Sequence, residues 1–146
     1  MKRHASLIPL SHEHHDALIL ARFLQKTTPP YKGLPTELPE KAQYALNFYN
    51  EKLIDHFLQE EAIIPIVKGN SQELDTLMDD MVKEHVVLRE LFVQLTDQTE
   101  FLLPLDHLGK TLEDHIRKEE RQIFPMIQEC CSEEKLDEIR VLLSPH

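Results

Sequence analysis

The chain has 146 residues, of which 41% are hydrophobic, 29% are charged and only 3 are glycine. These values are typical of one soluble domain, and the shortage of glycine with many Leu, Glu and Lys residues favours helix over sheet. The formal charge of −10 argues against nucleic acid or an anionic membrane as a partner, and no apolar run approaches the ~18 residues of a membrane span. We therefore expect a single cytoplasmic domain over residues 1–146.

Apolar periodicity predicts helices over residues of about 7–26, 38–68, 70–97, 104–129 and 132–143. Ser11, Asn70 and Ser132 are the predicted caps of the first, third and fifth helices. Pro65 and Pro125 interrupt helical patterns and should kink or loosen the last turns. Apart from the proline-rich loop 27–35, the links are short, which favours antiparallel neighbours. The predicted fold is all-α, an antiparallel up-down-up-down four-helix bundle with a short extra C-terminal helix.

Every long helix places a histidine on its predicted core face, and two helices add a glutamate one turn later. These candidate metal ligands are His14, His56, Glu60, His85, His115 and Glu119. A desolvated carboxylate costs several kcal/mol unless it is paired, so this convergence requires cations. A spacing of i and i+4 puts imidazole and carboxylate side by side on one helix face. We therefore predict two metal ions bridged by Glu60 and Glu119, each also held by two histidines.

Each of these residues alone has an ordinary structural explanation. A single His-x-x-x-Glu pair is usually a solvated pair on a helix surface, and one core histidine is more often hydrogen-bonded than metal-bound. The six together, on four helices, favour metal binding. Iron suits imidazole and carboxylate ligands, with zinc and manganese as possible substitutes.

Several nearby residues leave alternatives open. His15 lies about 100° away from the predicted core face, so we expect it to be exposed or to support a ligand. Glu120 competes with Glu119, and the periodicity favours Glu119. Glu61 and Glu120 then orient histidines or face solvent. Tyr49 either donates a hydrogen bond near the metals or, more commonly for such a residue, fills core.

The remaining histidines and the two cysteines are predicted to stay outside the site. The histidines that lie off the core faces or at the termini are His4, His12, His107 and His146. Cys130 and Cys131 are adjacent, and adjacent residues close a disulfide only with strain. We interpret the cysteines as two small side chains near a helix end rather than as a redox or metal site.

A weak internal repeat accompanies the candidate ligands. The segment from His56 to Pro65 resembles that from His115 to Pro125, because each has His-x-x-x-Glu-Glu followed by proline. Each segment also follows a helix with a single inward histidine. Such duplication predicts a pseudo-twofold bundle around a two-metal centre.

These segments, together with Glu13-His14 and Glu84-His85, resemble the hemerythrin-like family of cation-binding domains, over residues of about 7 to 127. The resemblance implies an antiparallel four-helix bundle with a non-haem di-iron centre. It also implies that the four core histidines match the ligand histidines of the family and that Glu60 and Glu119 match its bridging carboxylates.

The chain departs from oxygen-carrying hemerythrins at one position. Those proteins carry two histidines one turn apart on the third helix, whereas Arg89 stands one turn after His85 here. One nitrogen ligand is therefore missing, unless Glu84 or water replaces it. This difference makes reaction with oxygen, peroxide or nitric oxide at least as plausible as reversible oxygen storage.

The predicted function is a di-iron protein that senses, binds or detoxifies oxygen, peroxide or nitric oxide, or that handles iron. It is not clearly an enzyme, since no nucleophile triad or phosphate-binding glycine loop is present. One alternative is a helical interaction or regulatory bundle with a structural metal. Another is a ferritin-like di-iron oxidase, which the ligand set disfavours because such proteins use four glutamates and two histidines.

Overall fold

The computed structural model describes residues 2–145, which form helices and turns but no strand. The α-helices are α1 (Ile8–Phe23), α2 (Leu38–Phe48), α3 (Ile54–Ala62), α4 (Ile64–Val67), α5 (Gln72–Gln94), α6 (Leu102–Lys118), α7 (Phe124–Cys130) and α8 (Glu133–Leu143). A π-helical turn over Tyr49–Leu53 joins α2 to α3, and another over Glu119–Ile123 joins α6 to α7. The chain thus forms four long bundle helices (α1, α2 to α4, α5, and α6 with α7), and α8 follows as the extra helix. The predicted all-α bundle is confirmed.

The contacts between neighbouring bundle helices show that the helices are antiparallel. Tyr49 stacks on Phe92 with ring centroids 4.8 Å apart, while Phe57, further along the second helix, stacks on the earlier residue His85 at 4.3 Å. The other three pairs of neighbouring helices are also antiparallel, because a later residue on one helix meets an earlier residue on the other. The contacts are Ser11–Glu120 and Lys26–Asp106 between the first and fourth helices, Glu13–His56 and Phe23–Tyr44 between the first and second, and Asp80–Lys118 and His85–His115 between the third and fourth. Each helix is therefore antiparallel to both of its neighbours.

Two apolar clusters fill the bundle, one on each side of a polar layer. The first cluster includes Ala17, Leu20, Tyr49, Leu53, Phe57, Leu88, Phe92 and Leu112. The second includes Leu10, Ile63, Leu74, Met78, Met81, Ile123, Phe124 and Ile139. Because α8 contributes Ile139 to the second cluster, it closes that end of the bundle. None of the helices within residues 2–145 combines the length and apolar character of a membrane span.

The π-helical turns shift which residues face the core. Regular three- and four-residue steps predict Leu46 and Met126 on the buried faces, but the structure buries Ala45 and Ile127 instead. A π turn holds one more residue than an α turn, which moves the buried position by one residue. Pro125 is the second residue after the second π turn, and the helix breaks at Ile63 two residues before Pro65, so the helix is irregular near both prolines.

Two of the three predicted caps are wrong. Ser132 does cap α8, because its hydroxyl accepts a hydrogen bond from the Lys135 amide at 3.2 Å. The third bundle helix is capped by Ser71 rather than Asn70, since the Ser71 hydroxyl accepts a hydrogen bond from the Leu74 amide. Ser11 lies inside α1, which already begins at Ile8, and its hydroxyl bonds across the bundle to Glu120 instead.

The first and fourth bundle helices approach most closely at Gly109. A Cβ at this position would overlap the carbonyl oxygen of Ala21, so only glycine permits this packing. The close approach brings α1 and α6 together along the side of the bundle that carries His14 and His115.

We expect Gly109→Ala to lower the free energy of unfolding by about 1–3 kcal/mol, because backbone rather than a flexible side chain must move. Urea denaturation measures this change. The exposed His107 lies on the same helix, and His107→Ala is the matched control, which should leave stability nearly unchanged. Equal stability of the two variants would contradict the proposed close approach.

Candidate metal centre

All six predicted ligands meet in the polar layer at the middle of the bundle. Glu60 and Glu119 are fully buried, and the four histidines are at most 3% exposed. Phe57 stacks on His85 from the first apolar cluster, and Phe124 stacks on His14 at 5.4 Å from the second. The polar side chains are thus enclosed between two aromatic rings.

The six residues form two groups that could each hold one metal ion. One group consists of His14, His56, Glu60 and Glu119, and the other of His85, His115, Glu60 and Glu119. Within each group the candidate ligand atoms all lie within 4.8 Å of one another. Both glutamates belong to both groups, so each carboxylate could contact two ions.

The imidazole Nε2 atoms point toward the two carboxylates. His14 Nε2 lies 2.8 Å from Glu119 Oε1, and His85 Nε2 lies 3.0 Å from Glu60 Oε1. The i,i+4 pairs are similarly close, with His56 Nε2 at 3.3 Å from Glu60 Oε2 and His115 Nε2 at 3.2 Å from Glu119 Oε2.

Despite these short distances, several of the buried atoms have no partner with hydrogen-bond geometry among the described residues. They are Nε2 of His56, Nε2 of His115 and both carboxylate oxygens of Glu119. Buried polar atoms are rarely left without a partner, because each such atom costs free energy. All four are metal-ligand atoms, which fits a binuclear cation site at this position.

The electrostatic environment stabilises charge on every member of the site. Burial by itself lowers the pKa of an imidazole, but the nearby carboxylates outweigh it and raise the pKa of His56 and His85 to about 9. The pKa of His115 rises to about 10 for the same reason. Burial raises the pKa of Glu60, yet His56 and its neighbours hold that pKa well below its ordinary value. Protons therefore compensate the carboxylates in the metal-free protein, and metal ions would replace them.

Four further carboxylates lie behind the histidines and accept hydrogen bonds from their Nδ1 atoms. The pairs are His14–Glu120 at 2.7 Å, His56–Glu13 at 2.9 Å, His85–Glu61 at 2.7 Å and His115–Glu84 at 2.8 Å. A hydrogen bond from Nδ1–H fixes the ring orientation and leaves Nε2 free to bind a metal. The pairing follows a pseudo-twofold pattern, because Glu13 and Glu84 each precede a core histidine, whereas Glu61 and Glu120 each follow a central glutamate.

The structure shows where the residues lie whose roles the sequence left open. Glu119 lies in the centre, whereas Glu120 is partly exposed beside His14 and also accepts a hydrogen bond from Ser11. Glu84 likewise contacts the Nδ1 side of His115. Arg89 donates a hydrogen bond at 2.9 Å to Glu61, so it supports the carboxylate that holds His85.

The residues predicted to lie outside the site stay away from its centre. His12, His15 and His107 are exposed, and His146 lies outside the described residues. His4 is half-buried rather than a plain surface residue, because its Nδ1 contacts the Ser6 hydroxyl at 2.8 Å. Tyr49 stacks on Phe92 within the first apolar cluster.

The cysteine pair carries no disulfide. Both thiols are free, with Cys130 half-buried and Cys131 buried in the second apolar cluster. Burial also raises the pKa of the Cys131 thiol, which disfavours the reactive thiolate.

The chain matches the Hemerythrin HHE cation binding domain over residues 7–127. It belongs to this family. The match contains all six central residues and the four carboxylates behind them, so the buried His/Glu groups are consistent with a two-metal site of a hemerythrin domain. No curated protein and no solved structure matches the chain.

Sequence reasoning missed most of the hydrogen bonds behind the histidines. It left Glu61 and Glu120 undecided and gave no role to Glu13. The repeated Glu-His and Glu-Glu dipeptides were the available signal. The supporting contacts of Ser11 and Arg89 depend on helix packing and have no sequence signature.

We expect the metal-free hemerythrin domain to lose stability as pH rises from about 6.5 to between 9 and 10. The folded-state pKa values of His56, His85 and His115 lie above the ordinary 6.5, so their protons stabilise the fold fully below pH 6.5. This contribution disappears as the pH passes through the raised values. Thermal melts of chelator-treated protein across this range measure the effect. A melting temperature that rises over the same interval would contradict the assigned electrostatics.

Proposed function

We propose that this hemerythrin domain holds two iron ions and uses them to sense, bind or detoxify oxygen, peroxide or nitric oxide. The observation that carries the proposal is that two buried groups of two histidines each share Glu60 and Glu119. In this arrangement His14 and His56 would hold one ion, His85 and His115 would hold the other, and both carboxylates would be shared between the two ions.

The types of protein ligand favour reactivity over a purely structural metal. Each group offers two imidazoles and two carboxylates and contains no cysteine. Structural zinc sites, in contrast, are usually closed by a set of four ligands that includes cysteine. When bound, a pair of iron ions would supply open coordination positions and redox chemistry at the middle of the bundle.

The residues of the chain would support this chemistry by excluding water and fixing the ligands. Phe57 and Phe124 cover the site from the two apolar clusters. Other apolar side chains are divided between these clusters, because Ile63 belongs to the second, whereas Leu53, Leu88, Phe92 and Leu112 belong to the first. The four carboxylates on Nδ1 would hold each ring in place during any change of metal charge.

The position of Arg89 supports a task other than oxygen storage. Its guanidinium is paired with Glu61 and lies 6.0 Å from the Phe57 ring centroid, and Arg89 belongs to neither ligand group. The His85 and His115 group therefore has no third histidine from this helix. An additional open position favours a sensor or scavenger.

Metal content should distinguish the two groups from each other. We expect two iron equivalents per chain after anaerobic loading, and about one after His56→Ala, which removes a ligand from only one group. Glu119→Gln should weaken both sites, since it alters both groups. Elemental analysis after desalting gives these values, with His15→Ala as the exposed control. Two equivalents retained by a His56→Ala, His115→Ala double variant would defeat the ligand assignment.

Removal of the metal should lower the melting temperature, because the two buried carboxylates lose their cations. Melting curves with and without a chelator test this effect. An unchanged melting temperature together with no bound metal would instead favour an interaction bundle.

Exposure of the anaerobic iron-loaded protein to air should change its ultraviolet-visible spectrum. Full reversal on removing oxygen would indicate a carrier, and an irreversible change would indicate a sensor or scavenger. The same titration with nitric oxide or peroxide compares the candidate ligands.

A further inference from the structure

The four carboxylates behind the histidines are not equally anchored. Glu120 is held by Ser11 and by Arg3 at 3.2 Å, Glu61 by Arg89 at 2.9 Å, and Glu84 by Lys118 at 2.8 Å. Glu13 differs, since His56 is its sole side-chain hydrogen-bond or ion-pair partner in residues 2–145, and its side chain is 44% exposed. Three of the four histidines are thus backed by a carboxylate that is fixed by a cation, and His56 is not.

A surface cavity of about 350 Å³ opens beside Glu13 and reaches the buried ring of His56. Its lining includes four carboxylates, from Glu13, Asp16, Glu51 and Asp55, and one cation, Lys52. The Lys52 ammonium is directed over the Phe48 ring, 5.2 Å from its centroid. The mouth of the cavity is therefore negative, and such a mouth attracts cations and raises their local concentration.

A second cavity, on the other side of the bundle, is less favourable for an incoming cation. It has a volume of about 260 Å³ and reaches His115, but the carboxylate of Glu84 at its base is paired with Lys118. An ammonium at that position repels an incoming cation and must leave Glu84 before that carboxylate can move. Of these two cavities, the one beside His56 combines negative charge with a carboxylate that no cation among residues 2–145 holds in place.

We propose that the cavity beside His56 is the route by which divalent metal ions enter the centre, with Glu13 as a positioning residue at its inner end. The acidic rim collects the ion, and a rotation of Glu13 away from His56 Nδ1 exposes the ring. His56 Nε2 is buried 3.3 Å from Glu60 Oε2 and has no partner with hydrogen-bond geometry within residues 2–145, and it then receives the ion together with Glu60. This inference rests on the proposed two-metal function, and it concerns the rate of filling rather than the final occupancy.

The test compares two triple variants with the same change in net charge. Asp16→Asn, Glu51→Gln and Asp55→Asn neutralise the cavity rim but leave Glu13 and every proposed ligand in place. Glu129→Gln, Glu134→Gln and Glu138→Gln neutralise three exposed acids at the C-terminal end, and each triple raises the formal charge by three. Stopped-flow mixing of chelator-treated protein with Co²⁺, followed by its visible absorption, gives the uptake rate.

We expect the rim variant to take up Co²⁺ about five-fold more slowly than the control triple at low ionic strength. This difference should shrink when the salt concentration is raised, because salt screens the rim. Both variants should still reach two equivalents per chain. Equal rates for the two variants, with two equivalents bound, would overturn the route alone. A wild-type protein that binds no metal pair would overturn the proposed function and the route together.

Discussion

Two carboxylates, Glu60 and Glu119, are fully buried at the centre of the bundle, and the surrounding structure compensates their charge. A carboxylate without a partner in this position would cost several kcal/mol, which is a large part of the stability of a small domain. Four imidazoles surround the pair, and four outer carboxylates hold the imidazoles. The helices must therefore be arranged so that each delivers one histidine to the same layer.

The apolar clusters on either side pack directly against this polar layer and enclose it. Phe57 and Phe124 each contact an imidazole ring on one face and their own cluster on the other. This arrangement keeps water from the carboxylates, which strengthens every electrostatic interaction among them. On the proposed route, an ion would enter from the side of the bundle, where a histidine and its outer carboxylate meet the surface.

The π-helical turns are part of the same construction. One ends three residues before His56, and the other begins at Glu119 and ends before Pro125. An extra residue in each turn lets the helix present its polar residues to the centre and then return apolar residues to the core. π turns occur frequently at functional sites, where a regular helix would misplace a side chain.

The class of fold and the six central residues follow from the amino-acid sequence. Helical periodicity and the energetic cost of buried glutamate are local properties, so His14, His56, Glu60, His85, His115 and Glu119 could be read from spacing alone. The spacing and the residue types together were sufficient to predict a metal centre and the resemblance of the chain to its family.

The contacts that support these residues depend on how the helices pack. The pairing of Glu13 with His56, the ion pair of Arg89 with Glu61, and the hydrogen bond from Ser11 to Glu120 all join different helices. The one-residue shifts to Ala45 and Ile127 also depend on π turns, which periodicity does not predict. Such contacts are set by how the helices pack against one another, because spacing along one helix carries no information about the side chain that faces it across the bundle.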